Sequence, residues 1–269
     1  MSNLKNPWGD YAPPLKSWPL RAAIAMGLVR GKFKAKIVQR WQKQFGPILD
    51  IEISGIRYRL KLDDNITDQR ILTSSKRYDS DEINMLIKAC KDGLFLDLGA
   101  NIGFYTLSLA ASGADVLAIE PNTKALERLR FNAQANEFSS KIKIIPHGVG
   151  EAGEFQLMST GDLGSANIRA KNSSDYTESV TIQTKPLIEI LADNKIETIS
   201  GLKIDIEGLE DRALRPFFEK APNSLWPKCI VIEHCCSENW EMDIIDYMLK
   251  IGYELKLKTR GNSVLALKN

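Results

Sequence analysis

A short apolar segment that runs into a glycine turn constrains the fold of this chain more than any other feature. The segment reads Leu94-Phe-Leu-Asp-Leu-Gly-Ala-Asn-Ile-Gly103, with a helical pattern after it. A strand, a turn and a helix in this order begin a unit whose successive strands lie parallel in one sheet. The glycines let the backbone approach a ligand closely, so we expect a binding pocket at the carboxyl end of this strand.

The pattern after residue 94 predicts a doubly wound, mostly parallel α/β sheet. Apolar runs predict parallel strands at 94–98, 116–119, 142–145, 202–206 and 229–232. Amphipathic segments predict the intervening helices at 102–112, 123–135, 209–219 and 239–251. Segments 253–258 and 263–267 are joined without a helix, which predicts an antiparallel C-terminal hairpin at the sheet edge.

The residues before the sheet predict a small N-terminal cap, so we divide the chain into 1–79 and 80–269. Residues 20–45 combine apolar positions with Lys and Arg, which indicates one or two basic amphipathic helices. Residues 48–62 alternate polar and apolar side chains on both sides of Ser54-Gly55, which predicts a β-hairpin. A helix is expected at about 80–91.

An insert at 150–200 separates the third and fourth core strands. Strands are expected at 154–158 and 180–184. The middle of the insert, 161–179, is rich in Gly, Ser, Asn and Asp, which predicts a mobile loop over the site.

Composition excludes several classes of protein. The chain has 269 residues, of which 43% are hydrophobic and 26% charged, as expected of a soluble globular protein. Its four cysteines form no Cys-x-x-Cys pattern, and no secretory leader or long apolar run is found. We therefore expect neither a disulfide framework nor a zinc knuckle, no membrane span, and a cytoplasmic location.

Positive charge is concentrated at the N-terminus. Residues 1–50 carry nine Lys or Arg and two acidic residues, a net charge of +7, so the other 219 residues sum to −5. Two interpretations stay open. The basic helices pack on the main domain and keep their lysines in solvent, or they bind an anionic lipid surface or an acidic partner.

Details of the glycine turn decide which cofactor fits it. The turn carries neither a Gly-x-Gly-x-x-Gly nor a Gly-Lys-Ser/Thr sequence, so it is not a pyrophosphate site. Asp97 precedes it, and Glu120 ends the second strand, where a carboxylate can accept hydrogen bonds from both hydroxyls of a ribose. Acidic side chains without a phosphate cradle suit S-adenosylmethionine, a nucleoside with a positive sulfonium. A tight turn that binds no ligand is the alternative.

The cofactor-binding residues that we expect lie at the ends of the first three strands. They are Asp97, Gly99, Ala100, Asn101, Ile102, Gly103, Glu120, Pro121, Asn122 and His147. His147 follows the third strand, where related folds approach the adenine, but a loop histidine without a ligand role is equally compatible with the sequence.

Three segments in order carry a family resemblance. Asp97-Leu-Gly-Ala-Asn-Ile-Gly-Phe-Tyr105, Ile119-Glu-Pro-Asn122 and Leu202-Lys-Ile-Asp-Ile-Glu-Gly208 resemble the FkbM-type methyltransferases. Asn65-Ile-Thr-Asp-Gln-Arg70 is similar to segments that precede that domain in some members. The resemblance covers roughly residues 50–235. It implies a Rossmann-like class I methyltransferase that methylates oxygen, commonly on sugars, polyketides or other secondary metabolites.

Methylation of a hydroxyl needs a group that removes the acceptor proton. Asp205 and Glu207, two residues apart, are expected on the same side of the fourth strand, with Glu233 and His234 at the end of the fifth. His234 is our first choice as general base because imidazole titrates near neutral pH. A structural imidazole, an ion pair of Asp205 with Lys203 or Arg212, and a helix cap by Glu207 are the alternatives. A metal held by Asp205, Glu233 and His234 is conceivable, although we expect none.

Two other classes of function compete with an O-methyltransferase. A non-catalytic nucleoside-binding or scaffold protein would keep the fold without the transfer. A nucleic-acid methyltransferase is suggested by the basic N-terminus, but no Asp/Asn-Pro-Pro-Tyr/Phe segment is present to hold a flipped base. We expect a small-molecule, sugar or glycan acceptor and no nucleic acid partner, with peripheral membrane contact through the N-terminus as an open question.

Overall fold

The N-terminal part forms two helices and a hairpin. The computed structural model describes residues 4–74, 78–91, 93–159, 167–168 and 178–268. Helices α1 (Trp18–Ala25) and α2 (Lys32–Phe45) precede an antiparallel hairpin of β1 (Ile48–Ile53) and β2 (Ile56–Lys61). Ser54 and Gly55 turn the hairpin with φ of 53° and 76°, the left-handed values that a two-residue turn needs. The predicted basic helices and hairpin are therefore present.

The sheet domain follows the hairpin, and its helices and strands are α3 (Ile66–Thr73), α4 (Ser80–Ala89), β3 (Leu94–Leu98), α5 (Phe104–Ala111), β4 (Asp115–Ile119), α6 (Thr123–Ala135), β5 (Ile142–Ile145), α7 (Leu187–Asp193), β10 (Gly201–Ile204), α8 (Glu210–Lys220), β11 (Cys229–Glu233), α9 (Ile244–Lys250), β12 (Tyr253–Lys258) and β13 (Asn262–Leu267). Within the described residues, the central sheet has seven strands in the order β12-β13-β11-β10-β3-β4-β5. The pairs among β5, β4, β3, β10 and β11 are all parallel. This is the mostly parallel α/β sheet that the sequence predicts.

The C-terminal hairpin is antiparallel as expected, but its second strand lies inside the sheet. β13 pairs antiparallel with both β11 and β12, so β12 takes the outer edge. The burial pattern explains the order: Val264 and Leu265 of β13 are fully buried, whereas Leu255 of β12 is 44% exposed. The more apolar strand takes the covered position.

Helices cover both faces of the sheet. On one face Phe95, Val116 and Val231 pack in one cluster with residues of the N-terminal part, including Trp41 and Leu60. The other face carries a second cluster, with Leu96 and Leu117 of the sheet against α7, α8 and α9. The predicted cap thus shares a hydrophobic core with the sheet. None of the helices in the described part of the chain is long and apolar enough to cross a bilayer.

Three predicted elements are shorter than expected. The fourth core strand ends at Ile204 instead of residue 206, and α5 begins at Phe104 because Gly103 has a left-handed φ of 94°. The final helix covers only Ile244–Lys250. Its expected first turns form a loop instead, because Asp243 caps α9 through the amide of Asp246.

The insert forms a small sheet of its own, in the order β6-β9-β7-β8. Its strands are β6 (Gly148–Val149), β7 (Gly153–Ser159), β8 (Asn167–Ile168) and β9 (Glu178–Lys185). The two predicted insert strands are confirmed as β7 and β9. Most of the predicted mobile loop at 161–179 lies outside the described residues.

A buried ion pair fastens the N-terminal arm to the hairpin. Asp50 and Arg59 are 2% and 3% exposed, and Arg59 Nε donates to Asp50 Oδ1 at 2.7 Å. Asp50 Oδ2 also accepts the amides of Gly9 and Tyr11. Arg59 donates to the carbonyls of Asn6 and Pro7. Removal of either side chain takes the ion-pair partner from the other buried charge.

We therefore expect Asp50→Ala to lower the free energy of unfolding by about 3–5 kcal/mol, the usual cost of breaking a buried pair. Asp246→Ala is a matched control, because its partner Lys250 is on the surface and the two lie on one helix turn. That change should cost less than about 1 kcal/mol. Urea unfolding of both variants measures the difference, and equal costs would contradict the role of the buried pair.

Candidate active site

A cavity of about 300 Å³ lies at the carboxyl ends of four neighbouring parallel strands. Its lining includes residues that end or follow β3, β4, β10 and β11. Between β10 and β3 the strand order reverses, since β3 is followed along the chain by β4 on one side while β10 lies on the other. Open α/β sheets bind their ligands at such a switch point.

The turn after β3 brings two strand ends into close contact. The amides of Gly99 and Ala100 both donate to the carbonyl of Ile119, which ties the turn to β4. Gly99 has a φ of 82°, and a Cβ placed on it would stand 1.9 Å from the carbonyl oxygen of Asp205. Only glycine fits here, because both the left-handed φ and the neighbouring carbonyl exclude a side chain.

Two buried carboxylates stand at the ends of β3 and β4. Asp97 is 2% exposed, and Thr106 Oγ1 donates to its Oδ2 at 2.6 Å. Burial raises the pKa of Asp97 to about 6, although the Thr106 hydrogen bond opposes this. Glu120 is 7% exposed and accepts the amides of Asn101 and Asn122, each at 2.8 Å. Burial raises the pKa of Glu120 to about 7 against these two amides.

Most of the predicted cofactor residues line this cavity. They are Asp97, Gly99, Ala100, Asn101, Glu120, Pro121 and His147. Ile102, Gly103 and Asn122 are not among the lining residues. Ile102 is fully buried in the core, and Gly103 packs against Leu129, which a Cβ would approach to 2.4 Å. The Asn122 side chain accepts a hydrogen bond from the Lys124 amide and caps α6. Asn122 contacts the cavity lining through the hydrogen bond that its backbone N–H donates to Glu120.

A second acidic group lines the cavity near the ends of β10 and β11. It consists of Asp205, Glu207 and Glu233. The sequence pattern placed Asp205 and Glu207 on one strand, but β10 ends at Ile204 and Glu207 has a left-handed φ of 57°. The two side chains therefore reach the cavity from a loop.

The pKa values of Glu207 and Glu233 are raised. Burial, followed by the charges of Asp205 and Glu233, raises the pKa of Glu207 to about 8. Burial and Asp205 also raise the pKa of Glu233, while Lys203 lowers it. Carboxylates packed this closely cannot all stay ionised at neutral pH, so part of the group can hold a proton.

The structure separates His234 from this acidic group. Its ring is not among the lining residues of the cavity. The backbone amide of His234 donates to the carbonyl of Gly261, and its Nδ1 lies 3.2 Å from Ser263 Oγ. Pairing with β13 thus turns the imidazole toward that strand. Burial and the charge of Lys258 lower its pKa. The assignment of His234 as general base therefore lacks the geometry that a base needs.

A buried lysine, Lys203, also belongs to the site. The sequence pattern indicated it only as an ion-pair partner of Asp205. Lys203 is 3% exposed, lines the cavity, and places Nζ 3.3 Å from Asp205 Oδ2. Burial lowers the pKa of Lys203, but the carboxylates of Asp205, Glu233 and Asp79 outweigh it, so the pKa lies above its usual value. The sequence does contain a signal for this residue, because a lysine between Leu202 and Ile204 is unusual in an apolar strand and indicates a special role.

Other lining residues come from α3, from the segment after it and from the start of α5. Thr67 and Arg70 of α3 line the cavity, and so do Tyr78 and Phe104, whose rings stack with centroids 4.4 Å apart. Tyr105 also lines it, and its hydroxyl donates to Asp79 at 2.8 Å. Sequence reasoning missed these residues because contact between α3 and the strand ends is long-range.

Glu207 does not cap α8, whose N-cap residue Leu209 makes no side-chain cap hydrogen bond, and Glu210 instead fastens the loop that precedes the helix. Its Oε1 accepts the amides of Ile206 and Gly208, and its Oε2 accepts the indole N–H of Trp240. Arg212 pairs with Glu241, so of the two cations considered for Asp205 only Lys203 reaches it.

Three carboxylates lie close enough to share a metal ion. Ligand atoms of Asp205, Glu210 and Glu233 lie within 4.8 Å of one another. This set differs from the metal ligands considered from the sequence, because Glu210 stands in it and His234 does not.

A second glycine-rich segment lies outside the turn that follows β3. Gly148-Val-Gly-Glu-Ala-Gly153 has the spacing of a dinucleotide-binding loop. In the structure it connects strand β6 to strand β7, and no helix follows it. A pyrophosphate site needs the N-terminus of a helix after the glycines, so this segment does not form one.

The charges around the cavity favour a cationic ligand. Among the described residues, its lining holds five carboxylates and only two fixed cations, Arg70 and Lys203. Lys203 is already paired with Asp205. A cavity of this kind can bind a positively charged nucleoside, hold it through carboxylates at the strand ends, and accept a proton from a neighbouring hydroxyl.

The chain matches one family model. The model of the methyltransferase FkbM domain matches residues 97–255, more than half of the chain. This range contains both acidic groups of the cavity. No curated protein matches the chain.

Solved structures with similar folds are distant in sequence. A Pyrococcus abyssi tRNA (uracil-54, C5)-methyltransferase in complex with S-adenosyl-L-homocysteine is 12% identical with a TM-score of 0.45, covering 82% of this chain and 44% of that one. An rRNA methylase from Streptococcus thermophilus is 13% identical with a TM-score of 0.45, covering 72% of this chain and 98% of that one. At such low identities and TM-scores, these likenesses give no information on substrate or reaction.

The close contact between Gly99 and the Asp205 carbonyl can be tested by substitution. Gly99→Ala forces apart the turn and the Asp205 carbonyl, whereas Gly113→Ala meets no atom within 4 Å at a similar φ of 103°. Both variants carry the cost of a left-handed alanine, and only Gly99→Ala adds a backbone collision. We expect the Gly99 variant to lose about 1–3 kcal/mol more stability in urea unfolding. Equal losses would show that the strand ends can separate freely.

Proposed function

Because the chain belongs to the FkbM methyltransferase family, we propose that it transfers a methyl group from S-adenosylmethionine to a hydroxyl oxygen of a small molecule, a sugar or a glycan. One observation carries this proposal. Two buried carboxylates at the ends of β3 and β4 share a single cavity with a second acidic group, Asp205, Glu207 and Glu233. The first group suits a ribose and a cation, and the second suits an acceptor proton.

The residues around the β3 turn fit this cofactor. Glu120 lies at the end of β4 and has the oxygens to accept hydrogen bonds from both hydroxyls of a ribose. Asp97 is a buried carboxylate that favours a nearby ammonium or sulfonium. Gly99 lets the turn after β3 pack directly against the Asp205 carbonyl, which brings both acidic groups to one cavity. When bound, S-adenosylmethionine supplies a methyl group on a positively charged sulfur that an oxygen nucleophile can displace.

Glu207 is our choice for the residue that takes the acceptor proton. Its pKa is raised to about 8 by burial and by Asp205 and Glu233. A carboxylate with a raised pKa is a stronger base than an ordinary one, and it can hold the proton once it has taken it. Lys203 pairs with Asp205, so the lysine supports that neighbouring carboxylate and not Glu207 itself.

The far side of the cavity supports a hydroxylated acceptor. Thr67 and Arg70 of α3 contribute hydrogen-bond donors, and Leu157 of the insert sheet contributes an apolar contact. Sugars and hydroxylated metabolites need such a mixture of polar donors and apolar surface. Holding the acceptor oxygen in line with the methyl group contributes much of the rate in a displacement of this kind.

The cofactor assignment predicts that Glu120→Ala weakens binding. Loss of hydrogen bonds to a buried carboxylate should cost about 1–3 kcal/mol of affinity for S-adenosylhomocysteine, measured by calorimetry. Glu127→Ala is the matched control, since Glu127 lies on α6 outside the cavity lining. Equal affinity in the two variants, with both folded by circular dichroism, would remove Glu120 from the binding site.

The base assignment predicts a pH-dependent loss of turnover. Turnover is measured as S-adenosylhomocysteine formed with an acceptor found in a panel of sugars and hydroxylated metabolites. Glu207 must be deprotonated to act as base, so the rate should rise with pH up to about 8 and then level off. Glu207→Gln should lower the rate by roughly 10²–10⁴-fold, abolish this rise, and keep cofactor affinity.

His234→Ala provides the comparison, because that imidazole faces Ser263 outside the cavity lining. We expect its turnover to stay near that of the unchanged enzyme. A large loss in His234→Ala with an intact Glu207→Gln would reverse the assignment. Loss of activity on chelation would instead assign the acidic group to a metal. Cofactor binding without any S-adenosylhomocysteine formation would favour the non-catalytic alternative.

A further inference from the structure

We propose that the N-terminal segment 15–43 is a docking surface for an anionic lipid bilayer. The surface combines exposed apolar side chains with cations that form no ion pair with a described carboxylate, and it lies outside the candidate active-site cavity. No residue before Ile66 lines that cavity. The inference is therefore independent of the proposed reaction.

The exposed apolar side chains of the described chain are concentrated in this segment. Among the described residues, the five most exposed large apolar side chains are Leu15, Trp18, Met26, Leu28 and Phe33, with exposures between 65% and 93%. All five lie within residues 15–33. Burial of so much apolar surface in a bilayer interface is favourable, and leaving it in water is not.

Positive charge surrounds these side chains. Between Asp10 and Asp50 the chain contains eight Lys or Arg and no acidic residue. Seven of the eight are exposed, and none forms an ion pair with a described carboxylate. Because the remainder of the chain is net negative, an anionic surface would attract this segment and repel the acidic remainder.

One face of helix α2 packs on the core, and the other face forms part of the docking surface. Val38 and Trp41 are 4% and 1% exposed and anchor one face in the core. Helical spacing places Phe33, Lys36 and Arg40 on the opposite face, and all three are exposed. The helix is thus held in place by the fold while a cationic face with an aromatic residue at its start stays free.

The position of the lysines argues against a purely structural role. Lys32 and Lys34 lie in the first turn of α2, which contains no acidic residue. Cations at this end oppose the helix dipole and destabilise the helix. Anionic headgroups would remove this penalty, because they supply the negative charge that the first turn lacks.

A bilayer explains the combination better than another acidic partner does. Phosphate contacts with a nucleic acid use the cations but leave aliphatic side chains such as Leu15, Met26 and Leu28 in water. A bilayer interface accepts both kinds of side chain at once, with cations at the headgroups and apolar groups at the acyl boundary. A groove between α1 and the hairpin, lined by Trp18, adds further apolar surface; its charged lining residues are Arg21 and Glu52, and Glu52 pairs with Arg57.

Sedimentation of the full chain with vesicles tests the proposal. Vesicles of phosphatidylcholine alone are compared with vesicles containing about one quarter phosphatidylserine, at about 0.1 M salt. We expect binding to the anionic vesicles only, with a loss as salt is raised. Equal binding to both compositions, or to neither, would overturn the proposal.

Two variants and a matched control identify the surface. Lys36→Glu with Arg40→Glu should weaken vesicle binding at least about tenfold, because each cation near an anionic surface contributes appreciably. Lys143→Glu with Lys220→Glu makes the same change of charge at exposed positions elsewhere and should bind as the unchanged chain does. An equal loss in this control would assign the effect to net charge and overturn the docking surface.

The apolar part is tested by Leu28→Ser with Phe33→Ser, which leaves the charge unchanged. We expect at least a several-fold loss of vesicle binding, with S-adenosylhomocysteine affinity unaltered. Full vesicle binding by this variant would contradict a role for the apolar side chains. Retention of the unchanged chain by duplex DNA or polyglutamate, without vesicle binding, would assign the surface to an acidic macromolecule instead.

Discussion

The close contact between the β3 turn and the end of β10 is the constraint on which the rest of the site depends. Gly99 allows the Asp205 carbonyl to approach to a distance that any side chain would prevent. This contact sets β3 beside β10 at the switch point of the sheet, and the four strand ends then open into one cavity. Asp97, Glu120 and the second acidic group come together as a consequence, although they lie far apart in the sequence.

Charge within the cavity follows from that geometry. Carboxylates from several strand ends are enclosed with few cations, so burial raises the pKa values of Asp97, Glu120 and Glu207. The same arrangement makes the cavity favourable for a positively charged ligand and unfavourable for a phosphate. One buried lysine, Lys203, stabilises the group by pairing with Asp205. The site is thus suited to a cation and retains a carboxylate that can take a proton.

The sequence predicted the sheet, its helices and the carboxylates at the ends of β3 and β4, because those features are local. A strand that runs into glycines at Asp97–Gly103 and an acidic residue at the end of the next strand are visible without a structure. The second acidic group was harder to predict. The alternation Lys203-Ile-Asp-Ile-Glu207 continues past the end of the strand, and the pairing that turns His234 toward β13 joins residues distant in sequence. Contacts from α3 to the cavity likewise join residues that are distant in sequence, so the local pattern does not reveal them.

The central claim is that a nucleoside with a positive sulfur occupies this cavity through carboxylates at the strand ends. A crystal structure of the chain with S-adenosylhomocysteine tests it most directly. The account predicts both ribose hydroxyls within hydrogen-bonding distance of Glu120, and the ligand's sulfur turned toward the side of the cavity that holds Glu207. A ligand bound elsewhere, or one whose ribose points away from Glu120, would contradict it.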